Sequence, residues 1–262
     1  MIEEPYRWVE AVANRREYIE TQLAPGSPIA AVGFREGIVL VTVGRARQKL
    51  FEIYDRIAMG AIGHPGDIER LRMAAIELAS TEGFTRSAAD VSLRRLAYYS
   101  LSPLLKTAFE QVYGAPYLAR LLFAEIGDRP AEDLFLRVEY DGAIATTGGA
   151  FGNARQDFAV MSGTGQSTEL MESFLQNEQS GADTKSLEAA LLVATNAWVV
   201  GNMSLGEDGA RELPTKESLA NERRKQLSEK RVEAVLLERN SSAAIRYRPL
   251  TDDELASLGG GR

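Results

Sequence analysis

The side chains with the widest catalytic repertoire near neutral pH are nearly absent: there is no cysteine and a single histidine, His64. A thiol nucleophile, a disulfide framework, a cysteine-type zinc site and an iron–sulfur cluster are thereby excluded. A Ser-His-Asp hydrolase would have to run through His64, and a multi-histidine metal site cannot be built. His64 precedes Pro65 at an expected helix entry and, lacking a partner cluster, reads as a capping or solvent-facing residue. Gly148-Gly149-Ala150-Phe151-Gly152 lacks the strand-to-helix setting of a phosphate-binding turn, and Leu258-Gly259-Gly260-Gly261-Arg262 reads as a flexible tail. No metal and no cofactor are expected.

Charge narrows the field further. Thirty Lys+Arg stand against 37 Asp+Glu, a net charge of −7 in 262 residues. A protein that wraps nucleic acid needs a basic surface to displace counterions, so nucleic acid is not an expected partner. The start, Met1-Ile2-Glu3-Glu4-Pro5, is acidic, unlike a secretory leader, and no window approaches the roughly 18 apolar residues of a membrane span. A cytoplasmic protein with no membrane partner is expected. The 45% apolar content suits one sizeable core that needs no disulfide or metal.

The elements that must position any site follow from period and punctuation. Tyr6–Leu23 has the spacing of an amphipathic helix, stopped by Ala24-Pro25-Gly26. Strand-type runs Pro28–Phe34 and Ile38–Val43 flank Arg35-Glu36-Gly37, and Leu50–Tyr54 and Ile57–Ile62 flank Asp55-Arg56, which predicts two hairpins. Two helices follow, Pro65–Glu82 and Ala88–Tyr113, the second kinked by Pro103. Strands return at Tyr117–Ile126, Leu134–Tyr140, Ala143–Thr147 and Phe158–Met161, with Asp141-Gly142 as a tight turn. Helices Thr164–Gln176 and Ser186–Val200 and strands Val232–Glu238 and Ala244–Tyr247 complete the order. Hairpins and helix pairs in succession exclude a βαβ parallel sheet. They predict an α+β fold, a four-layer αββα sandwich of two antiparallel sheets with an extra N-terminal helix, in one domain spanning 1–262. Gly201–Arg231 is highly charged and reads as a mobile insertion or solvated helix, with only Leu219 and Leu227 able to face a core.

Several of these stretches, taken in order, resemble the bacterial (actinobacterial-like) alpha subunit of the proteasome core particle. The resemblance rests on Gln48-Lys49 followed by Glu52-Ile53-Tyr54-Asp55-Arg56, and on Gly60-Ala61-Ile62-Gly63 leading into a helix. It continues through Pro116-Tyr117, Leu122-Phe123-Ala124-Glu125-Ile126, Tyr140-Asp141-Gly142, Val160-Met161-Ser162-Gly163 and Ser186-Leu187-Glu188-Ala189-Ala190-Leu191, covering most of residues 28–200. The resemblance implies the fold of N-terminal nucleophile hydrolases, the same sandwich that the element order predicts.

Catalytic members of that fold use the first residue of the mature chain, whose free α-amine is the base, assisted by a Lys and an Asp. Here Ser27 is the only candidate hydroxyl at the head of the first strand, and Thr42 stands near the position of the Asp. Gly63 matches the glycine whose amide forms the oxyanion hole. With no Asp, and with a patterned helix where a disposable propeptide would be, no catalytic residue is expected; a self-processing peptidase cleaved before Ser27 is the alternative. The resemblance then implies a non-catalytic subunit of a threonine-type peptidase complex: a homo-heptameric ring stacked on beta subunits. Met1, Ile2, Glu3, Glu4 and Pro5 would form a gate to unfolded polypeptides, and Lys49 would meet the terminal carboxylate of a hexameric ATPase unfoldase or other activator.

Overall fold

The computed structural model describes residues 5–44, 47–111, 113–147, 157–178, 186–206, 209–256 and 258 of the chain. Helix α1 (Pro5–Leu23) leads into the hairpins β1 (Ile29–Phe34)–β2 (Gly37–Gly44) and β3 (Leu50–Tyr54)–β4 (Ile57–Gly63). Helices α2 (Pro65–Thr85), α3 (Leu93–Leu96) and α4 (Ser102–Glu110) follow, then strands β5 (Ala119–Glu125), β6 (Leu134–Val138), β7 (Ile144–Thr147) and β8 (Phe158–Met161). The rest comprises α5 (Gly165–Glu178), α6 (Leu187–Met203), α7 (Lys216–Glu229), β9 (Arg231–Glu238), β10 (Tyr247–Pro249) and α8 (Asp252–Ala256).

Strand order is β10-β9-β2-β1-β8 in the first sheet and β3-β4-β5-β6-β7 in the second, every pairing antiparallel. The period of two along each strand sorts the core into three apolar layers. Ile29 and Ala31 of β1, Ile38 and Leu40 of β2 and Val235 and Leu237 of β9 meet Leu122 and Ala124 of β5 between the sheets. The alternate residues Ala30, Val32, Val39 and Val41 pack outward on α5 and α6, around Trp198. On the far side Met59, Ala61, Leu121 and Phe123 pack under α2, α3 and α4. The result is a four-layer αββα sandwich, as the order of elements dictated.

Differences from the sequence reading have local causes. The expected long helix Ala88–Tyr113 is instead a 3₁₀ turn (Ala88–Asp90), α3, a π-helical turn (Ala97–Leu101) and α4. Ser92 caps α3 by accepting from Arg95 N, and the wide turn bonds Ser102 N to Ala97 O just before Pro103, which has no N–H to give. Pro103 therefore sits in the first turn of α4 rather than breaking a helix. Within Gly201–Arg231, read as a mobile insertion or solvated helix with Leu219 and Leu227 able to face a core, residues 201–203 finish α6 and 216–229 form α7, which lies on α6 with Leu219 buried, Leu227 half-buried and Arg223 donating to Asn196 at 2.7 Å. The last strand falls at Tyr247–Pro249 rather than Ala244–Tyr247, because the chain first bonds back through Arg246 N to Asp55 O. Its proline is tolerated on an edge strand.

Candidate functional site

At one end of the inter-sheet layer the inward-facing apolar series turns polar. On β2, Ile38 and Leu40 are followed by Thr42; on β9, Leu237 and Val235 are followed by Glu233; and Ile29, Thr42 and Glu233 stand in register across the three strands. Ser27 lies just before β1, and Lys49 arrives from the second sheet at the start of β3. The family resemblance brought Ser27, Thr42 and Lys49 to attention; the fold gathers them and adds Glu233, Trp198 and Tyr247.

Each polar group is tied down. The Ser27 hydroxyl donates to Val43 O at 2.8 Å and accepts from Trp198 Nε1 at 3.0 Å. Thr42 Oγ1 donates to Pro28 O at 2.7 Å, so the hydroxyl that stands near the position of the catalytic members' Asp serves the backbone. The Glu233 carboxylate accepts the Lys49 N–H with both oxygens at 3.0 Å and the Leu50 N–H at 2.9 Å. Lys49 Nζ reaches the Ser27 carbonyl at 3.5 Å, the outer limit of a hydrogen bond. Tyr247 donates its hydroxyl to Leu50 O at 3.1 Å.

Burial sets the electrostatics. It lowers the Lys49 ammonium below its ordinary range, with Glu233 opposing the shift and Lys230 adding to it. It raises the Glu233 carboxyl, opposed by the Leu50 and Lys49 N–H bonds and by the Lys49 and Arg231 charges. Both groups thus lean toward their neutral forms, each held back by the other. Burial, with Glu233 and Glu52, also pushes the Tyr247 phenol up.

Beside this cluster a cleft of about 440 Å³ opens, lined by Gln48, Arg231, Glu233, Tyr247, Pro249 and Leu255 among others. Among the described residues β10 pairs with Val235, Leu236 and Leu237 and Leu250 N bonds to Ala234 O, while Arg231, Val232 and Glu233 at the start of β9 line the cleft. A second cleft of about 520 Å³, with Glu52, Glu69 and Arg72, shares Gln48 and Tyr247 as its wall. Lys49 stands behind this wall, its ammonium turned inward.

The leader bears on whether Ser27 can be a nucleophile. Ile19 and Leu23 of α1 are fully buried against Phe109 and Tyr140, each worth about 1.5–3 kcal/mol. Arg120, whose side chain is 8% exposed, donates to both Glu20 oxygens at 2.6 Å, to Glu139 at 2.6 Å and to the carbonyls of Ser162 and Gly163. Tyr140 donates to Glu20 at 2.8 Å, Arg16 pairs with Asp141 at 2.8 Å, and Arg15 donates to the Phe109 and Gln111 carbonyls. A Cβ on Gly26 would run into Ile62, so the link to Ser27 is pressed against β4.

Gly63 has φ +137° and lies against the Leu118 carbonyl, where a side chain would collide, which explains a glycine there without any oxyanion. His64 caps α2, its Nδ1 accepting from Gly66 N at 3.2 Å. Of the expected gate, Met1, Ile2, Glu3 and Glu4 lie outside the described residues, and Pro5 opens α1. Among the described residues no group of three or more His, Cys, Asp or Glu is arranged to hold a metal, and no helix is long and apolar enough to cross a membrane.

Glu233 was missed in the sequence because its partners lie more than 180 residues away. The signal was the alternation itself, with an acid at the place in the Glu233, Val235, Leu237 series where a buried residue is due.

No family model matches the chain. It is similar to a proteasome subunit alpha of Nocardioides sp. (strain ATCC BAA-499 / JS614), 34% identical over 187 residues covering 71% of this chain and 68% of that one. It is also similar to those of Streptomyces scabiei (strain 87.22), 32% identical with 72% and 71% covered, and of Streptomyces avermitilis, 29% identical with 95% and 87% covered.

Proposed function

The chain belongs to the proteasome alpha-subunit family, and from that premise we propose that it is a non-catalytic ring subunit that controls entry to a chamber of catalytic beta subunits. The observation that carries this reading is the anchored leader. An N-terminal nucleophile must expose its own amine, yet α1 is bound to the sandwich by Ile19, Leu23 and the Arg120–Glu20 pair ahead of Ser27. The Ser27 hydroxyl is already engaged with Val43 and Trp198. A self-processing peptidase would have to release this helix and would still find Thr42 in place of an acid. Intact mass of the protein purified with its beta partner tests the point. A species retaining α1 is expected, and loss of the first 26 residues, exposing Ser27, would overturn the reading.

In this role seven copies form a ring on a ring of beta subunits in the cytoplasm. Residues 1–5 gather at the axis as a gate to unfolded polypeptides, and a hexameric ATPase docks beside Lys49. The cleft walled by Gln48 and Tyr247 supports the docking assignment. When its ammonium turns to meet a carboxylate, Lys49 gives up a long 3.5 Å contact and exchanges part of its attraction to Glu233 for a partner that favours its charged form. Lys49→Ala is expected to bring the stimulation of proteolysis by the ATPase, measured against unstimulated peptide hydrolysis, down to a ratio of about one.

A further inference from the structure

Glu233 occupies a place where an apolar residue would be the cheaper choice. It continues the inward face of Leu237 and Val235, stands opposite buried Thr42, and its carboxyl is raised by burial. What the side chain does there is specific: its oxygens take the N–H groups of Lys49 and Leu50, crossing from β9 in one sheet to the start of β3 in the other. The Lys49 carbonyl in turn accepts from Ala61 N at 3.1 Å on β4. The Lys49 peptide is thus gripped from both sheets, next to residues that line the cleft.

We infer that Glu233 is a positioning residue for activator docking: it fixes the Lys49 backbone so that the ammonium swings from one defined origin. The inference rests on reading Lys49 as the docking residue. Hydrogen-bond reach is the operative property. A charge at position 233 is not required, and on its own it opposes an incoming carboxylate, because Glu233 also lines the cleft.

The experiment uses the assembled alpha–beta particle. The probe is a seven-residue peptide copying the C-terminus of the source organism's own proteasomal ATPase, prepared as the free acid and as the amide. Peptide-stimulated hydrolysis of a fluorogenic substrate gives a half-saturating concentration and a maximal rate. Glu233→Ala is expected to raise the half-saturating concentration of the free acid about tenfold, which corresponds to about 1.4 kcal/mol, with the maximal rate retained. Glu233→Gln keeps an acceptor oxygen at the same reach and is expected to recover most of that loss. Glu233→Asp keeps the charge but is one methylene short, and is expected not to recover it. The amide peptide is expected to stimulate poorly in every particle.

Wild-type half-saturation in Glu233→Ala, or rescue by Asp and not by Gln, overturns the positioning role. So does a fall in maximal rate that tracks a lower melting temperature with half-saturation unchanged. A Lys49→Ala particle that still responds to the free acid overturns the docking reading itself, and that result is distinct from failure of the Glu233 variants alone. Should the Ala particle fail to assemble, the contrast between Gln and Asp decides the question.

Discussion

At the scale of single residues the two ends of the sandwich are built on opposite terms. Beyond β9, Arg239 pairs with Asp133 ahead of β6 through two parallel bonds at 2.7 and 2.8 Å, both side chains 4% exposed. The same guanidinium donates to the Arg35 and Gly127 carbonyls, so a single side chain closes that end. Arg239→Met leaves the Asp133 carboxylate without its guanidinium and should cost about 3–5 kcal/mol, read as a lower urea midpoint of the isolated chain. Replacing both partners with apolar residues should restore only part of it, because the Arg35 and Gly127 carbonyls lose this donor and the Gly127 N–H loses its Asp133 acceptor. Glu125 is a buried acid of another kind. Burial raises its carboxyl, while the Leu93 N–H at 3.0 Å, Arg56 and Arg94 favour the charge less strongly. As pH rises from the ordinary glutamate value the unfolded chain ionises first, so this residue takes stability away until it ionises in the fold as well. Glu125→Gln keeps an acceptor for Leu93. It should match the native chain below about pH 4.5 and exceed it at pH 7 in denaturant midpoints. The scarcity of His and Cys and the odd hydroxyls Ser27 and Thr42 were legible in the sequence. Glu125, Glu233 and Asp133 were not, because what makes each matter is a backbone or guanidinium distant along the chain.

At the scale of elements, local chemistry predicted well wherever period and punctuation agreed. The hairpin at Asp141-Gly142 turns through Gly142 at φ +82°, and the strands of both sheets follow the apolar alternation. Prediction failed where one pattern hid several elements. Nothing in the apolar spacing of 88–113 marks the π-helical turn, although Ser87 and Ser92 each cap a start, as their side chains favour. Helix α8 went unforeseen because it is short and acidic; it is held by Arg248 on Glu254 and by Leu250 packing below the sheet. The element with most at stake is α1, whose polar anchor is Glu20. Glu20→Ala removes the acceptor shared by Arg120 and Tyr140 and should cost the helix about 1–3 kcal/mol of docking. Hydrogen exchange over residues 8–23 would report it as lost protection, with the sheets unaffected.

At the scale of the whole molecule, the layer order was legible because strands and helices arrive in pairs. The surface was less so, since burial in an assembly is not written in one chain's alternation. Trp8, Val9 and Tyr18 are apolar or aromatic and exposed on α1, far more than an isolated helix face needs. Trp8→Glu should therefore leave the isolated chain's stability within about 0.5 kcal/mol. The particle formed with beta subunits should shrink or fail to form, as read by size-exclusion chromatography with light scattering. The way α1 is fastened also has a mechanical meaning. Its bonds to the sandwich gather at Arg15, Arg16, Ile19, Glu20 and Leu23, while from Trp8 to Asn14 only Val12 is even half-buried. A stiff helix held at one end is a lever: Pro5 lies about 22 Å from Glu20 at 1.5 Å per residue, so a tilt of about 10° displaces that end by about 4 Å. Small rearrangements around one arginine are thereby magnified to the dimensions of a polypeptide chain.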